Sequence, residues 1–130
     1  MPTSIRRRIV VVDDNPSVAV SLAAFLKFLG HDVYVAHDGV SAIDLARRSR
    51  PDFLFLDIGL PGLDGFEVAG TLRRDPSMQA LRIIAVTGRA SEEDRQRSKE
   101  VGIDYYIVKP MGLEYIVSLV GNAAPKPQPI

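Results

Sequence analysis

The sequence predicts an α/β fold in which a parallel sheet carries helices on both faces. Three features predict it. Five short apolar runs are rich in β-branched or aromatic residues and show little alternation, as strands buried on both faces do. Segments with helical periodicity separate them. Charged or hydroxyl side chains stand at the ends of four of the runs, where open parallel sheets bind ligands.

The first strand is IVVV (9–12), and it runs into Asp13 and Asp14. A helix follows, with Val18, Leu22, Phe25, Leu26 and Leu29 on one stripe and Gly30 as its stop. VYVA (33–36) is the second strand, ending at Ala36 and His37 with no comparable polar group. Val40, Ile43 and Ala46 mark a short second helix. The third strand, FLFL (53–56), ends on Asp57 and opens into the loop GLPGLDG (59–65). Phe66, Ala69 and Leu72 form the third helix, closed before Pro76. IIAV (83–86) leads to Thr87. The next helix, SEEDRQRSKEVG (91–102), is nearly all polar, with Ser91 as its cap and an apolar face of little more than Val101, helped by Ala90. A helix with so little to bury is loosely held and able to shift. YYIV (105–108) ends at Lys109, and Leu113, Ile116, Val117 and Val120 form the last helix. NAAPKPQPI (122–130) has three prolines and no pattern, so a disordered tail or linker is expected there.

Composition narrows the class. A chain of 130 residues with 46% hydrophobic residues makes one domain with an ample core. Sixteen basic residues balance 16 acidic ones, so no global field favours nucleic acid, membrane or an acidic substrate. The absence of cysteine excludes disulfides and thiolate metal sites. No run is long enough for a signal segment or a membrane span, and a soluble cytoplasmic domain is the expectation. His31 and His37 lack ligand partners at useful spacing and are expected at the surface, and Arg6–Arg8 are expected as a solvated strand entrance.

If the second strand lies at the sheet edge, Asp13, Asp14, Asp57, Thr87 and Lys109 converge on one crevice. Three carboxylates in one place repel, and a bound cation relieves them. Oxygen-only ligands point to a hard ion, Mg²⁺, with Mn²⁺ as the alternative. Lys109 supplies a point charge for a phosphoryl oxygen and Thr87 a hydrogen bond. Such a group suits phosphoryl transfer with Asp57 as the nucleophile, and Gly59 lets a backbone carbonyl approach the metal.

The motifs VVDDN, LDIGLPGLDGFE, VTG and VKP stand at successive strand ends, and with them the chain resembles the receiver domains of two-component response regulators over residues 8–121. DIGLPGLDG is especially similar to receivers of hybrid histidine kinases. The resemblance implies a flavodoxin-like (βα)5 three-layer fold with strand order 2-1-3-4-5, preceded by an extension over 1–7. It implies Asp57 as phosphoacceptor, served by a histidine kinase or phosphotransfer protein. Asp14 and Asp57 would bind Mg²⁺ directly, Asp13 mostly through water, with the Gly59 carbonyl as a further ligand. Lys109 would contact the phosphoryl group and precede a cis peptide to Pro110. Thr87 would move toward the phosphate and Tyr106 would turn inward, a switch pair altering the face of the fourth helix, fifth strand and fifth helix for a downstream protein partner. Gly59 stands where family members often carry a larger side chain, and MGL (111–113) follows VKP where many have Phe. No separate organic cofactor, no direct nucleic-acid or membrane contact, and a monomer or weak homodimer are implied, in a phosphoryl acceptor rather than a turnover enzyme.

Other readings attach to the same residues. Asp13 and Asp14 could merely cap the first helix, Tyr106 could be plain core, and Arg89, two after Thr87, could screen the phosphate from water or simply be solvated. Asp64 is expected to support its loop, and Tyr105 to be the more exposed of the two tyrosines. A phosphorylation-independent interaction module with the same fold is the alternative function. A dehalogenase-type phosphatase would carry an acid two residues after its nucleophile, and Gly59 stands there.

Overall fold

A computed structural model describes residues 6–88, 91–110 and 112–121. The elements alternate throughout: β1 Arg8–Val12, α1 Pro16–Phe28, β2 Asp32–Ala36, α2 Gly39–Ser49, β3 Phe53–Asp57, α3 Gly65–Arg73, β4 Arg82–Thr87, α4 Glu92–Val101, β5 Tyr105–Val108 and α5 Leu113–Gly121. A short 3₁₀ turn, Pro76–Met78, leads into β4. All strand pairs are parallel, in the order β2-β1-β3-β4-β5, so β2 is an edge. The fold is the flavodoxin-like one that the motifs imply. The chain steps from β1 to one side and then returns to the other, which opens a crevice between β1 and β3 at their carboxyl ends.

Two cores sandwich the sheet. On one face Ile9, Val11, Phe53, Phe55 and Ile84 pack against Leu22, Leu26, Ile116 and Leu119 of α1 and α5. On the other Val10, Val12, Leu54, Leu56 and Ile83 pack against Ala42, Phe66, Val68 and Leu72 of α2 and α3. Consecutive strand residues thus feed opposite cores, which is why the strand runs show no polar alternation.

Several helix faces differ from the spacing-based reading. The core side of α1 is Ala19, Leu22, Ala23 and Leu26, while Val18, Phe25 and Leu29 are only half-buried. Alanines let that helix approach the sheet closely, and the larger residues flank the contact. Val40, expected to face the core, is 70% exposed, because α2 begins with Gly39 against Leu63 and buries Ala42 and Ala46 instead. Leu113 and Val117 of α5 are likewise exposed, and Leu119 replaces them inside. His31 is buried, not at the surface: its Nδ1 accepts from the Arg7 N–H at 3.0 Å, which plugs it under β1. Arg6 is solvated and paired with Asp32, whereas Arg7 lies over the Phe53 ring. Residues 1–5, Arg89, Ala90, Met111 and the tail 122–130 are outside the described residues.

Candidate functional site

The first carboxylates are placed by the end of β1. Asp13 is 5% exposed and tied on three sides. Its N–H donates to the Ala36 carbonyl at 3.2 Å, its Oδ1 accepts from the Asn15 N–H at 2.9 Å, and the Lys109 Nζ donates to its Oδ2 at 3.2 Å. Asp14 is exposed. Neither acid caps α1. Asn15 does, accepting from the N–H groups of Ser17 and Val18, with Pro16 as the first helical residue. The caps therefore leave both carboxylates to the crevice.

Asp57 is the last residue of β3, between β1 and β4. Its Oδ1 accepts from the Gly59 N–H at 2.9 Å. Burial holds its carboxyl above the ordinary carboxylate range. The Gly59 N–H and Lys109 oppose that shift, and the charges of Asp13 and Asp14 reinforce it. One ligand oxygen from each of Asp13, Asp14 and Asp57 lies within 4.8 Å of the others. Three acids this close, one of them disfavoured as a carboxylate, fit a hard divalent cation. A Cβ on Gly59 would meet Asp57 Oδ1 at 3.5 Å, an ordinary contact.

The loop after Asp57 is held from behind. A Cβ on Gly65 would strike the Ile58 backbone and come 2.9 Å from the Asp57 carbonyl, so only glycine permits this approach. Asp64 then caps α3 in a reciprocal box with Glu67, which gives it the supporting role expected of it.

Thr87 ends β4 and is buried, and its carbonyl accepts from the Lys109 N–H at 2.7 Å. The peptide between Lys109 and Pro110 is cis. Tyr106 is 9% exposed on β5 and Tyr105 is more open. The Tyr106 hydroxyl is within hydrogen-bonding reach of the Thr87 side chain and the Ser91 backbone. All five strand-end groups read from the sequence thus belong to one end of the sheet, and Tyr106 connects that end to α4. Two neighbours escaped the sequence reading. Asn15 was legible as an Asn-Pro cap signature. His37, whose Nδ1 meets the Asp13 carbonyl at 3.0 Å, had no signal at all.

A doubly wound sheet with an acidic crevice beside a lysine and a threonine defines a class of α/β signalling and transfer domains. The chain belongs to the response regulator receiver domain family, whose model matches residues 9–121. It is 42% identical over 111 residues to Response regulator MprA of Mycobacterium avium, a match covering 85% of this chain and 48% of that protein. The chain thus spans about half the length of the curated relatives it matches. Among solved structures it resembles the Vibrio cholerae chemotaxis protein CheY4, with TM-score 0.83, 28% identity, and coverage of 88% of this chain and 95% of that one. It also resembles the receiver domain of the Pseudomonas aeruginosa sensor histidine kinase PA1611, solved with a magnesium ion coordinated in its active site cleft. That match has TM-score 0.77 and 32% identity, and covers 88% of this chain and 96% of that one. The chain is a receiver domain of two-component signalling. Among its described residues no helix is long and apolar enough to cross a membrane.

Proposed function

We propose that this receiver, over residues 8–121, accepts a phosphoryl group on Asp57 from a phosphohistidine of a kinase or phosphotransfer protein in the cytoplasm. The observation that carries the reading is the gathering of the Asp13, Asp14 and Asp57 oxygens within 4.8 Å, with Lys109 on Asp13. Asp13, Asp14, Asp57 and the Gly59 carbonyl would hold Mg²⁺. The ion, when bound, neutralises charge on the acids and on the phosphoryl oxygens.

This chain's own residues do the rest. Asp57, fixed at a strand end, offers one carboxylate oxygen to phosphorus; a P–O bond forms as the donor's P–N bond breaks, and the histidine leaves with the electron pair. Gly59 N–H holds the other orientation-setting contact through Oδ1. Lys109 can exchange Asp13 for a phosphoryl oxygen, and the Thr87 hydroxyl can donate to another. The phosphoryl group adds close to two negative charges, by analogy with phosphoserine. Thr87 is then drawn away from Tyr106, and the face formed by α4, β5 and α5 changes for a downstream partner. Turning a 1:99 population over requires about 5.5 kcal/mol of differential binding. One charge-assisted hydrogen bond supplies roughly 1.5–3 kcal/mol, so Thr87, Lys109 and the metal act jointly. The protein is an acceptor and switch, not a turnover enzyme.

Incubation with acetyl phosphate and Mg²⁺, followed by intact-mass measurement, tests this. One added phosphoryl group, lost in Asp57→Asn, is expected. Wild-type protein that stays unmodified with several donors, or a partner affinity indifferent to Asp57→Asn, would favour a phosphorylation-independent interaction module.

A further inference from the structure

The fourth helix is attached to the domain in an unusual way. Of its described residues only Ser98 is buried, and the Ser98 Oγ has no hydrogen-bond partner. Val101 is the one α4 side chain packed against the apolar core. Two guanidinium groups of the helix are laid on rings. Arg95 lies over Tyr106 at 4.7 Å from the centroid, and Arg97 over Phe66 at 4.3 Å, with Asp64 4.0 Å from the Arg97 Nη2.

The far end is held differently. Gly102 closes the helix at φ 91°, where a side chain would be strained and would meet the Arg73 side chain. Arg73 donates to the Gly102 carbonyl at 2.8 Å and pairs with Asp104. Asp104 in turn accepts from the Ile83 N–H at 2.8 Å. That end is therefore pinned to the sheet through β4.

The two rings are not equivalent. Phe66 belongs to α3 and is 5% exposed in the apolar core. Tyr106 belongs to β5, and its hydroxyl lies in reach of both the Thr87 side chain and the Ser91 backbone, which joins its ring to the site. Attraction of a cation to a ring needs the face, within about 6 Å of its centroid. A Tyr106 ring that turns takes the seat of Arg95 away, while the seat of Arg97 stays.

We propose that Arg95 is a positioning residue that couples α4 to the phosphorylation site by reading the Tyr106 ring face, while Arg97 on Phe66 and Arg73 on Gly102 hold α4 regardless of signal. This rests on Asp57 being the phosphoacceptor. The helix is then a hinged arm with its pivot at Gly102 and its signal-dependent contact at Arg95.

Amide hydrogen exchange across 92–101, with the phosphorylated fraction read by intact mass on the same samples, tests the proposal. Arg95→Met keeps length and bulk but removes the charge. It is expected to speed exchange in the first half of α4 roughly two- to fivefold before any phosphorylation. It is also expected to abolish the change in α4 exchange on phosphorylation while the phosphorylated fraction matches wild type. Arg95→Lys keeps the cation over the ring and should retain slow basal exchange. Arg97→Met should speed basal exchange yet preserve the response. Unchanged basal exchange in Arg95→Met, or a wild-type response to phosphorylation in that variant, overturns the proposal. Should wild type take up no phosphoryl group, the phosphoacceptor reading fails by mass alone, and the basal arm still decides the Arg95–Tyr106 contact.

Discussion

The Lys109 ammonium lies 3.2 Å from the Asp13 carboxylate, although β5 and β1 are separated in the sheet by β4 and β3. The pair closes the crevice across the strand that carries Asp57. Asp13 is 7% and Lys109 31% exposed in their side chains, so the contact is partly shielded from solvent and the desolvation of Asp13 offsets much of its Coulombic gain.

Removing the cation should therefore cost transfer chemistry more than folding. Lys109→Met is expected to slow phosphorylation by acetyl phosphate roughly 10²-fold, the scale for losing one preorganised charge-stabilising group. A time course of intact mass reads it. A variant phosphorylated as fast as wild type would remove Lys109 from the transfer.

Asp57 makes a second prediction, on stability. Its folded pKa is raised, so the folded state binds that proton more tightly than the unfolded chain does. Its charge costs stability above the folded pKa, and that cost vanishes as pH falls below the ordinary carboxylate value. Metal-free Asp57→Asn should thus be more stable than wild type at neutral pH, with the gap narrowing toward pH 4. Mg²⁺ should stabilise wild type by about 2.7 kcal/mol at a hundred times its dissociation constant. Urea melts of both proteins across pH, with and without Mg²⁺, give both results; a variant less stable than wild type at neutral pH contradicts the repulsion.

His31 titrates in the opposite sense. Burial, followed by the nearby Arg7, pushes its pKa below the usual histidine value. Its Nδ1 accepts from Arg7, so Nε2 carries the proton, and that group has no partner among the described residues. The unfolded chain gains a proton first as pH drops. Stability should be full above about pH 6.5 and fall on acidification until the folded value is passed. His31→Leu should flatten that part of the stability–pH curve; an unchanged slope would place the titration elsewhere.

Two glycines two and eight residues after Asp57 should behave oppositely. Gly59→Ala places its Cβ in ordinary contact with Asp57 Oδ1, at 3.5 Å, and should fold like wild type. Gly65→Ala drives its Cβ into the Ile58 backbone and should cost about 1–3 kcal/mol, with slower phosphorylation as Asp57 shifts. Thermal melts and phosphorylation time courses compare them directly, and equal stability of the two would refute the clamp.

Much of the fold was legible because its signals are local. Strands buried on both faces must be continuously apolar, so 9–12, 33–36, 53–56, 83–86 and 105–108 stood out, and the structure extends them by a residue or two at most. Asp13, Asp14, Asp57, Thr87 and Lys109 were legible as the first polar groups after each run. Parallel pairing then carries such groups to one side of the sheet whatever the loops do.

The sequence by itself determined the alternation of strands and helices and the chemistry at the strand ends, because residue period and polarity act over a few neighbours. Tertiary structure decided what depends on the approach of distant surfaces. It turned α1 onto Ala19 and Ala23, put Val40 in solvent, buried His31 beneath β1 and set Arg95 on Tyr106. No spacing rule encodes these, since each follows from how closely a helix or turn can lie on a twisted sheet.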